Sequence, residues 1–187
     1  MLKNRVLSTF FTDDALTIAP KMLGMKLIRR LEDGNIIRLH ITEIEVYRGK
    51  EDLACHASKG KTDRTKIMFE EGGKVYVYLV YGMHWLLNIT TGKEGIPQAI
   101  LIRGTQEISG PGRIGRYLQL DKSFYGEDLS TSTRLWLEYG EKIDNNNVEQ
   151  LPRVGVDYAG EYWAKILWRW QIVEQQKREP HLRDSLF

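Results

Sequence analysis

Apolar and polar residues alternate along several short stretches of the chain, and this pattern is typical of β-strands with one buried face. The predicted strands are Met25–Leu31, Ile36–Tyr47, Val75–Val80, Met83–Thr90, Gln98–Arg103 and Arg134–Glu138. A turn-forming Glu-Asp-Gly-Asn sequence joins the first two strands, and Tyr81-Gly82 joins the next two. Each of these pairs is therefore expected to form a hairpin.

Helix-like spacing of apolar residues occurs at Phe10–Met22 and at Ile114–Leu120. A threonine and two aspartates at positions 12–14 are candidate caps for the first helix, and Pro20 is expected to end or kink it. Residues 154–170 are rich in aromatic side chains and are expected to pack over the sheet.

These elements predict an α+β fold. We expect a single domain over residues 1–187, built on a curved, mostly antiparallel sheet with a protruding β-hairpin and peripheral helices. The regular alternation of strand and helix that marks a doubly wound sheet is missing from the pattern. With 187 residues, 42% of them hydrophobic and 28% charged, the chain can bury a core of its own.

Composition argues against several classes of protein. No apolar run approaches the roughly 18 residues that span a bilayer, so no membrane partner is expected. The amino-terminal residues lack a long apolar stretch, so secretion by a leader peptide is not expected. The single cysteine, Cys55, rules out an internal disulfide and suits a reducing compartment. Neither it nor the four histidines show chelating spacing, and no structural metal is expected.

The net charge of +2 is too close to neutral for the whole chain to indicate a nucleic-acid partner. Any such partner must be held by local basic clusters. Two are present, one at residues 58–66 and one at residues 110–116 with Lys122 just beyond it.

The hairpin around Tyr81 carries three tyrosines. Because alternate residues of a strand share a face, Tyr76 and Tyr78 point one way, while the aliphatic residues beside them point to the core. Tyr81 is at the bend, next to Gly82, which tolerates a positive φ. Two interpretations are open: all three are ordinary strand aromatics, or Tyr81 is a wedge that enters the DNA minor groove between base steps.

Glu43, Glu45 and Tyr47 occupy alternate positions of one predicted strand, so their side chains are expected to share a face. The two carboxylates would lie roughly 7 Å apart, and like charges at that range, if partly buried, raise one pKa toward neutrality. The pair is a solvated strand face, a site with a catalytic base, or the two carboxylates of a carbohydrate hydrolase. The last interpretation is the weakest, because such carboxylates usually lie on different segments across a cleft.

Six longer blocks stand out in the sequence: TEIEVY, TDRTKIMF, YVYLVYGMHWLLNITTG, AILIRG, GPGRIGRYLQLDKSF and RVGVDYAGEYWA. In this order, from about Phe10 to Trp170, they resemble the alkyladenine (3-methyladenine) DNA glycosylase family. The resemblance implies a base-excision repair hydrolase that flips alkylated or deaminated purines out of duplex DNA. Water then cleaves the N-glycosidic bond and leaves an abasic site. The resemblance also implies no metal or organic cofactor, a monomer, and a location inside the cell with the DNA.

The resemblance implies a role for each matching residue. Glu45 matches the general base that deprotonates the attacking water, and Arg103 matches a pocket arginine near that water. Tyr81 matches the tyrosine that replaces the flipped nucleotide, and Asn88 matches the asparagine that clashes with the exocyclic amino group of normal guanine. The residues that would sandwich the extruded base are Tyr47, His56 and Tyr78. The expected phosphate contacts are Arg64, Lys66, Met68 and Arg113.

The chain departs from the family pattern in one segment. Family members often carry a longer connection after the strand of the pocket arginine, whereas residues 104–109 alone separate Arg103 from Gly110 here. We expect one side of the pocket to be more open and the substrate range to be affected. A lesion binder without catalysis is the alternative function, since a glutamate in place does not guarantee a competent pocket.

Overall fold

Residues 4–173 are described by the structure, which is a computed structural model. The α-helices in this part of the chain are α1 (Ala15–Met22), α2 (Pro111–Tyr117) and α3 (Glu161–Lys165). The strands are β1 (Lys26–Arg30), β2 (Ile36–Arg48), β3 (Val75–Val80), β4 (His84–Thr90), β5 (Gln98–Thr105), β6 (Leu135–Glu138), β7 (Val148–Leu151) and β8 (Arg169–Ile172). Short 3₁₀ helices lie at Ser8–Thr12, His56–Lys59, Lys66–Phe69, Lys122–Phe124, Asn145–Asn147 and Asp157–Ala159.

The strands form one antiparallel sheet in the order β3-β4-β5-β2-β1-β6, and β8 pairs with β2 on one side and with β7 on the other. This arrangement, with helices at its periphery, confirms the predicted α+β class. None of the helices within residues 4–173 has the length and apolar character needed to cross a membrane.

The long strand β2 is the centre of the sheet. Its first residues pair with β1, and from Ile41 onward it pairs with β5 on the opposite side. The register against β5 shifts on both sides of Glu43, and irregularities of this kind bend a strand. The irregularity is therefore centred on Glu43, two residues before Glu45.

Two adjacent rows of cross-strand neighbours run over β2, β5, β4 and β3 and face opposite sides of the sheet. One row is fully buried in the main core and consists of Val46, Ile100, Ile89 and Val75. The next row consists of Glu45, Leu101, Asn88 and Tyr76. Because successive residues of a strand point to opposite faces, the second row faces away from the main core.

The predicted hairpin is formed by β3 and β4, with Val80 paired to His84 and three residues between them. Tyr81 and Gly82 have φ values of +52° and +67°, and the N–H of Met83 donates to the carbonyl of Val80 at 3.1 Å. Two successive positive φ values are typical of a type I′ turn, whose first central position rarely holds a bulky residue. Tyr81 therefore holds a strained backbone conformation.

The predicted start of the first helix, at Phe10, is wrong. Helix α1 begins only at Ala15, because Asp14 has an extended backbone and its carboxylate accepts the N–H of Leu16 at 3.0 Å. The preceding residues form a separate 3₁₀ helix. Pro20 lies within α1, and the helix continues past it to Met22.

The structure also differs from the sequence-based prediction at helix α2 and in the late strands. Helix α2 begins at Pro111 instead of Ile114, because a proline in the first helical turn sacrifices no intrahelical hydrogen bond. Strands β7 and β8 were not predicted, because β7 does not alternate and the alternation of β8 extends over only four residues of an aromatic-rich segment. Trp170, expected to pack over the sheet, instead pairs with Ile44 as a member of β8.

Candidate active site

A cavity of about 460 Å³ opens on the face of the sheet that points away from the main core. It is lined by β2, β3, β4 and β5 and by two connections, one around residues 54–68 and one around residues 154–158. The predicted site residues that line it are Glu45, Tyr47, His56, Arg64, Met68, Tyr78, Tyr81, Asn88 and Arg103. The other two, Lys66 and Arg113, lie outside the cavity lining.

Glu45 is fully buried in this cavity wall. The hydroxyl of Tyr47 donates to its Oε2 at 2.9 Å, and the backbone N–H of Val154 donates to its Oε1 at 2.8 Å. The Nε of Arg103 lies 3.5 Å from the same Oε1. Burial raises the pKa of Glu45, whereas Arg103 and the two hydrogen bonds oppose that rise.

The neighbouring carboxylate, Glu43, is bound to two arginines. Its Oε1 accepts hydrogen bonds from Arg103 Nε at 3.0 Å and from Arg169 Nη1 at 2.8 Å. The predicted repulsion between Glu43 and Glu45 does raise the pKa of Glu45, but it is the smallest of the causes and burial is the largest. Glu43 is therefore engaged in ion pairs and is not a second catalytic carboxylate facing a cleft.

His56 and Tyr78 form one aromatic wall, with ring centroids 4.6 Å apart in an edge-to-face arrangement. His56 Nδ1 is 2.8 Å from the hydroxyl of Tyr76, and its Nε2 is 3.4 Å from Arg64 Nη2. Burial first, and then the nearby cations Arg64 and Lys59, lower the pKa of His56 to about 4. The imidazole is therefore neutral near pH 7 and adds no positive charge to the cavity.

Asn88 is almost completely buried in the cavity wall. Its Nδ2 donates to the backbone carbonyl of Tyr76 at 3.2 Å, a contact that fixes the amide against β3. An amide held in this way occupies a defined volume of the cavity and cannot easily move aside for a larger base.

Tyr81 stands at the tip of the hairpin with 87% of its surface exposed. Tyr76, by contrast, is buried in a second hydrophobic cluster, and Tyr78 packs against that cluster. The three tyrosines of the hairpin thus differ in their exposure and packing. Two belong to the cavity side of the sheet, and the third projects toward solvent.

The expected phosphate contacts occupy different surroundings. Lys66 and Arg113 are exposed, and Lys66 Nζ is 3.4 Å from Asp63. Arg64 is exposed as well, but its guanidinium carbon lies 5.0 Å from the ring centroid of Tyr78. Met68 is buried and its side chain faces the cavity instead of the surface.

Sequence reasoning missed the residues that support Glu45 from behind. Val154 belongs to the RVGVDYAGEYWA block, yet its contribution is a backbone N–H, which no side-chain pattern reveals. Arg153 and Asp52 form a fully buried ion pair, with Arg153 Nη1 2.6 Å from Asp52 Oδ2. Their separation of 101 positions leaves no signal in the sequence. Within residues 4–173, no group of three or more potential ligands could hold a metal ion.

Comparison with known proteins places the chain in a family. The sequence model of methylpurine-DNA glycosylase (MPG) matches residues 9–109 and 105–176. The chain belongs to the methylpurine-DNA glycosylase family. It is thus a DNA glycosylase, a hydrolase of DNA repair that acts on alkylated bases.

Several members of the methylpurine-DNA glycosylase family are similar over most of their length, and each is named "Putative 3-methyladenine DNA glycosylase". The protein of Borreliella burgdorferi (strain ZS7) is 38% identical over 179 residues, covering 89% of this chain and 95% of its own. That of Legionella pneumophila (strain Paris) is 39% identical over 176 residues, covering 90% and 94%. That of Natranaerobius thermophilus is 36% identical over 187 residues, covering 87% and 92%.

Proposed function

We propose that this DNA glycosylase releases 3-methyladenine-type alkylated purines and deaminated purines from duplex DNA by flipping the damaged nucleotide into the cavity. The supporting observation is the fully buried Glu45 in an aromatic cavity whose rim carries the exposed Tyr81. A flipped base needs a pocket that holds its ring and an aromatic residue that fills the gap in the duplex. An aromatic-lined cavity and an exposed tyrosine, which suit these two tasks, lie on one hairpin and its neighbouring strands.

Glu45 acts as the general base in this proposal. It takes a proton from a water molecule, the water oxygen bonds to C1′ of the sugar, and the electron pair of the C1′–N bond leaves with the purine. In an alkylated purine that electron pair neutralises the positive charge on the ring. A deaminated purine is neutral and leaves less readily, so we expect its release to be slower.

The walls of the cavity select and hold the base. A cationic alkylated purine gains roughly 0.5–2 kcal/mol from each aromatic face it contacts, and the neutral His56 does not oppose its charge. The guanidinium of Arg64 lies over the ring of Tyr78. On DNA binding its exposed guanidinium moves to a phosphate, joining Lys66 and Arg113, and leaves the ring free for the base.

The decisive experiment compares the wild-type protein with Glu45→Gln on duplex oligonucleotides that carry one alkylated purine. Alkali-labile breaks report the abasic product, and electrophoretic mobility reports binding. Glu45→Gln should bind the damaged duplex normally and release the base about 10²–10⁴ times more slowly, which is the usual contribution of a general base.

The matched control is Glu149→Gln, the same chemical change at an exposed position of β7. It should leave base release unchanged. A Glu45→Gln protein as active as the wild type would refute the role of Glu45. Binding of damaged DNA without any breaks, in the wild type itself, would identify a non-catalytic lesion binder.

A further inference from the structure

Arg153 lies behind the candidate active site, and its side chain is fully buried. Its Nη1 donates to the carbonyl oxygen of Val46 at 3.0 Å and to Asp52 Oδ2 at 2.6 Å. Its Nη2 donates to Asp52 Oδ1 at 2.9 Å and to the carbonyl oxygen of Trp163 at 3.2 Å. Acceptors on β2, on α3 and on the connection after β2 therefore fix the guanidinium in place.

Both hydrogen-bond donors of Glu45 adjoin Arg153. Val154, whose N–H donates to Glu45 Oε1, is the next residue in the chain. The ring of Tyr47, whose hydroxyl donates to Glu45 Oε2, has its centroid 4.9 Å from the guanidinium carbon of Arg153. A fixed Arg153 therefore restrains the peptide group that carries one donor and the aromatic ring that carries the other.

Asp52 extends this restraint to the cavity wall. Besides binding Arg153, its carboxylate accepts the backbone N–H of Arg48 at 3.2 Å and that of Ala54 at 3.0 Å. The ion pair thus ties the end of β2 to the connection that leads to His56.

Stability alone is a poor explanation for this ion pair. A buried ion pair often stabilises a fold no more than apolar residues of the same volume. Arg153 also keeps its Nε buried without a hydrogen-bond partner, which destabilises the folded state. Because burial of Arg153 destabilises the fold in this way, its position is better explained by the groups that it holds in place.

We propose that Arg153, together with Asp52, is a positioning residue for Glu45: it aims the Val154 N–H and the Tyr47 hydroxyl at the buried carboxylate. Its importance for base release rests on the function proposed above. Its effect on the ionisation of Glu45 does not.

Other groups facing Glu45 also affect its pKa. Arg103 on β5 lowers it, Glu43 on β2 raises it, and the Tyr78 phenol on β3 lines the same cavity. Arg169 on β8 affects Glu45 only indirectly, because it forms an ion pair with Glu43. A valid test must leave these groups unchanged and must not alter the net charge behind Tyr47.

The double variant Asp52→Asn/Arg153→Met meets this condition, because it removes one negative and one positive charge together. The pKa of Glu45 is measured by NMR titration of its side-chain carboxyl carbon. Since both donors stabilise the ionised carboxylate, their misplacement should raise the pKa of Glu45 by about one unit. The acid limb of the pH–rate profile for base release should move to higher pH by the same amount.

Arg153→Lys separates positioning from charge. Lysine keeps the cation but cannot bridge the same acceptors, so positioning predicts a raised pKa of Glu45 in this variant too. Leu27→Ala, a truncation in the fully buried core on β1, is the control for general destabilisation and should lower the melting temperature without shifting the titration.

An unchanged Glu45 titration in the double variant overturns the proposal, and so does an equal shift in Leu27→Ala. A wild-type titration curve in Arg153→Lys would show that charge alone matters, which also overturns it. Wild-type protein that releases no base would contradict the proposed function instead, and the NMR titration would still decide the role of Arg153.

Discussion

Replacement of Tyr81 tests whether this exposed tyrosine acts as the proposed DNA wedge. If Tyr81 is a wedge, its removal should weaken capture of damaged DNA while leaving the folded state almost unchanged. A core tyrosine would behave in the opposite way.

The expected change in stability can be worked out from exposure and backbone conformation. A buried tyrosine covers roughly 150–250 Å², and with 87% of Tyr81 exposed, truncation removes only about 25 Å² of buried surface, or roughly 0.6 kcal/mol. Its φ of +52° is strained for an L-residue by roughly 1 kcal/mol, and glycine would relieve that strain at a similar entropic penalty. Tyr81→Ser and Tyr81→Gly should therefore shift the melting temperature by less than about 4 °C.

The expected change in binding is larger. Stacking of an aromatic side chain against a base contributes roughly 1–3 kcal/mol, which corresponds to about 5–150-fold in Kd. Affinity is measured by fluorescence anisotropy with an alkylated duplex, in a Glu45→Gln background so that the base is not released. Tyr81→Phe keeps the ring and should bind like tyrosine, whereas the serine and glycine variants should both lose affinity.

Two results would refute this reasoning. Serine and glycine variants that bind the damaged duplex as tightly as tyrosine would show that the ring fills no gap in the DNA. A fall in melting temperature well beyond 4 °C would show that Tyr81 packs against the protein.

Three further predictions concern the cavity and its surface. The pKa of His56 lies near 4 instead of its usual 6.5, so between these pH values the unfolded chain binds a proton that the folded chain excludes. The free energy of unfolding should therefore fall as the pH drops from about 6.5 to 4, by on the order of 3 kcal/mol at most. Urea titrations of His56→Gln should show a weaker pH dependence than those of the wild type. Asn88→Ser enlarges the cavity, so alkali-labile breaks should appear at guanines of undamaged duplex, where the wild type gives none. Arg113→Ala removes an exposed cation, so the slope of log K against log salt should decrease by about one while the melting temperature stays constant.

The parts of the fold that followed from the sequence were those set by strict alternation. The observed bounds of β3 equal the predicted ones, and the faces of Tyr76 and Tyr78 followed from the same two-residue period. Strand β8 alternates over only four residues, too few to predict a strand, and its pairing depends on the free edge that β2 offers beyond β1. That edge exists only once the sheet has formed.

Local side-chain hydrogen bonds explain the error in the first helix. The apolar spacing from Phe10 to Met22 is compatible with one helix, but the Asp14 carboxylate competes for a backbone N–H and sets a new start. The spacing records which residues are buried, whereas the boundary depends on a single contact.

The candidate site, like the fold, was predicted only in part. Alternation placed Glu45 and Tyr47 on one face, and the resemblance supplied their roles, yet neither indicated that Glu45 is fully buried. Burial proved to be the main cause of its raised pKa, ahead of the neighbouring Glu43. The contacts of Arg153 could not be predicted, although the residue opens one of the six sequence blocks, because they join segments about a hundred positions apart.

In the proposed mechanism, the buried carboxylate of Glu45 must stay ionised and must also stay basic. A close, exclusive pair with an arginine would secure the ionised form but would lower the pKa and weaken the base. Arg103 avoids this, because its Nε is closer to Glu43, at 3.0 Å, than to Glu45, at 3.5 Å. The remaining stabilisation of Glu45 comes from two uncharged donors, the Val154 N–H and the Tyr47 hydroxyl. Donors without net charge offset part of the desolvation while leaving the carboxylate a stronger base than one on the protein surface.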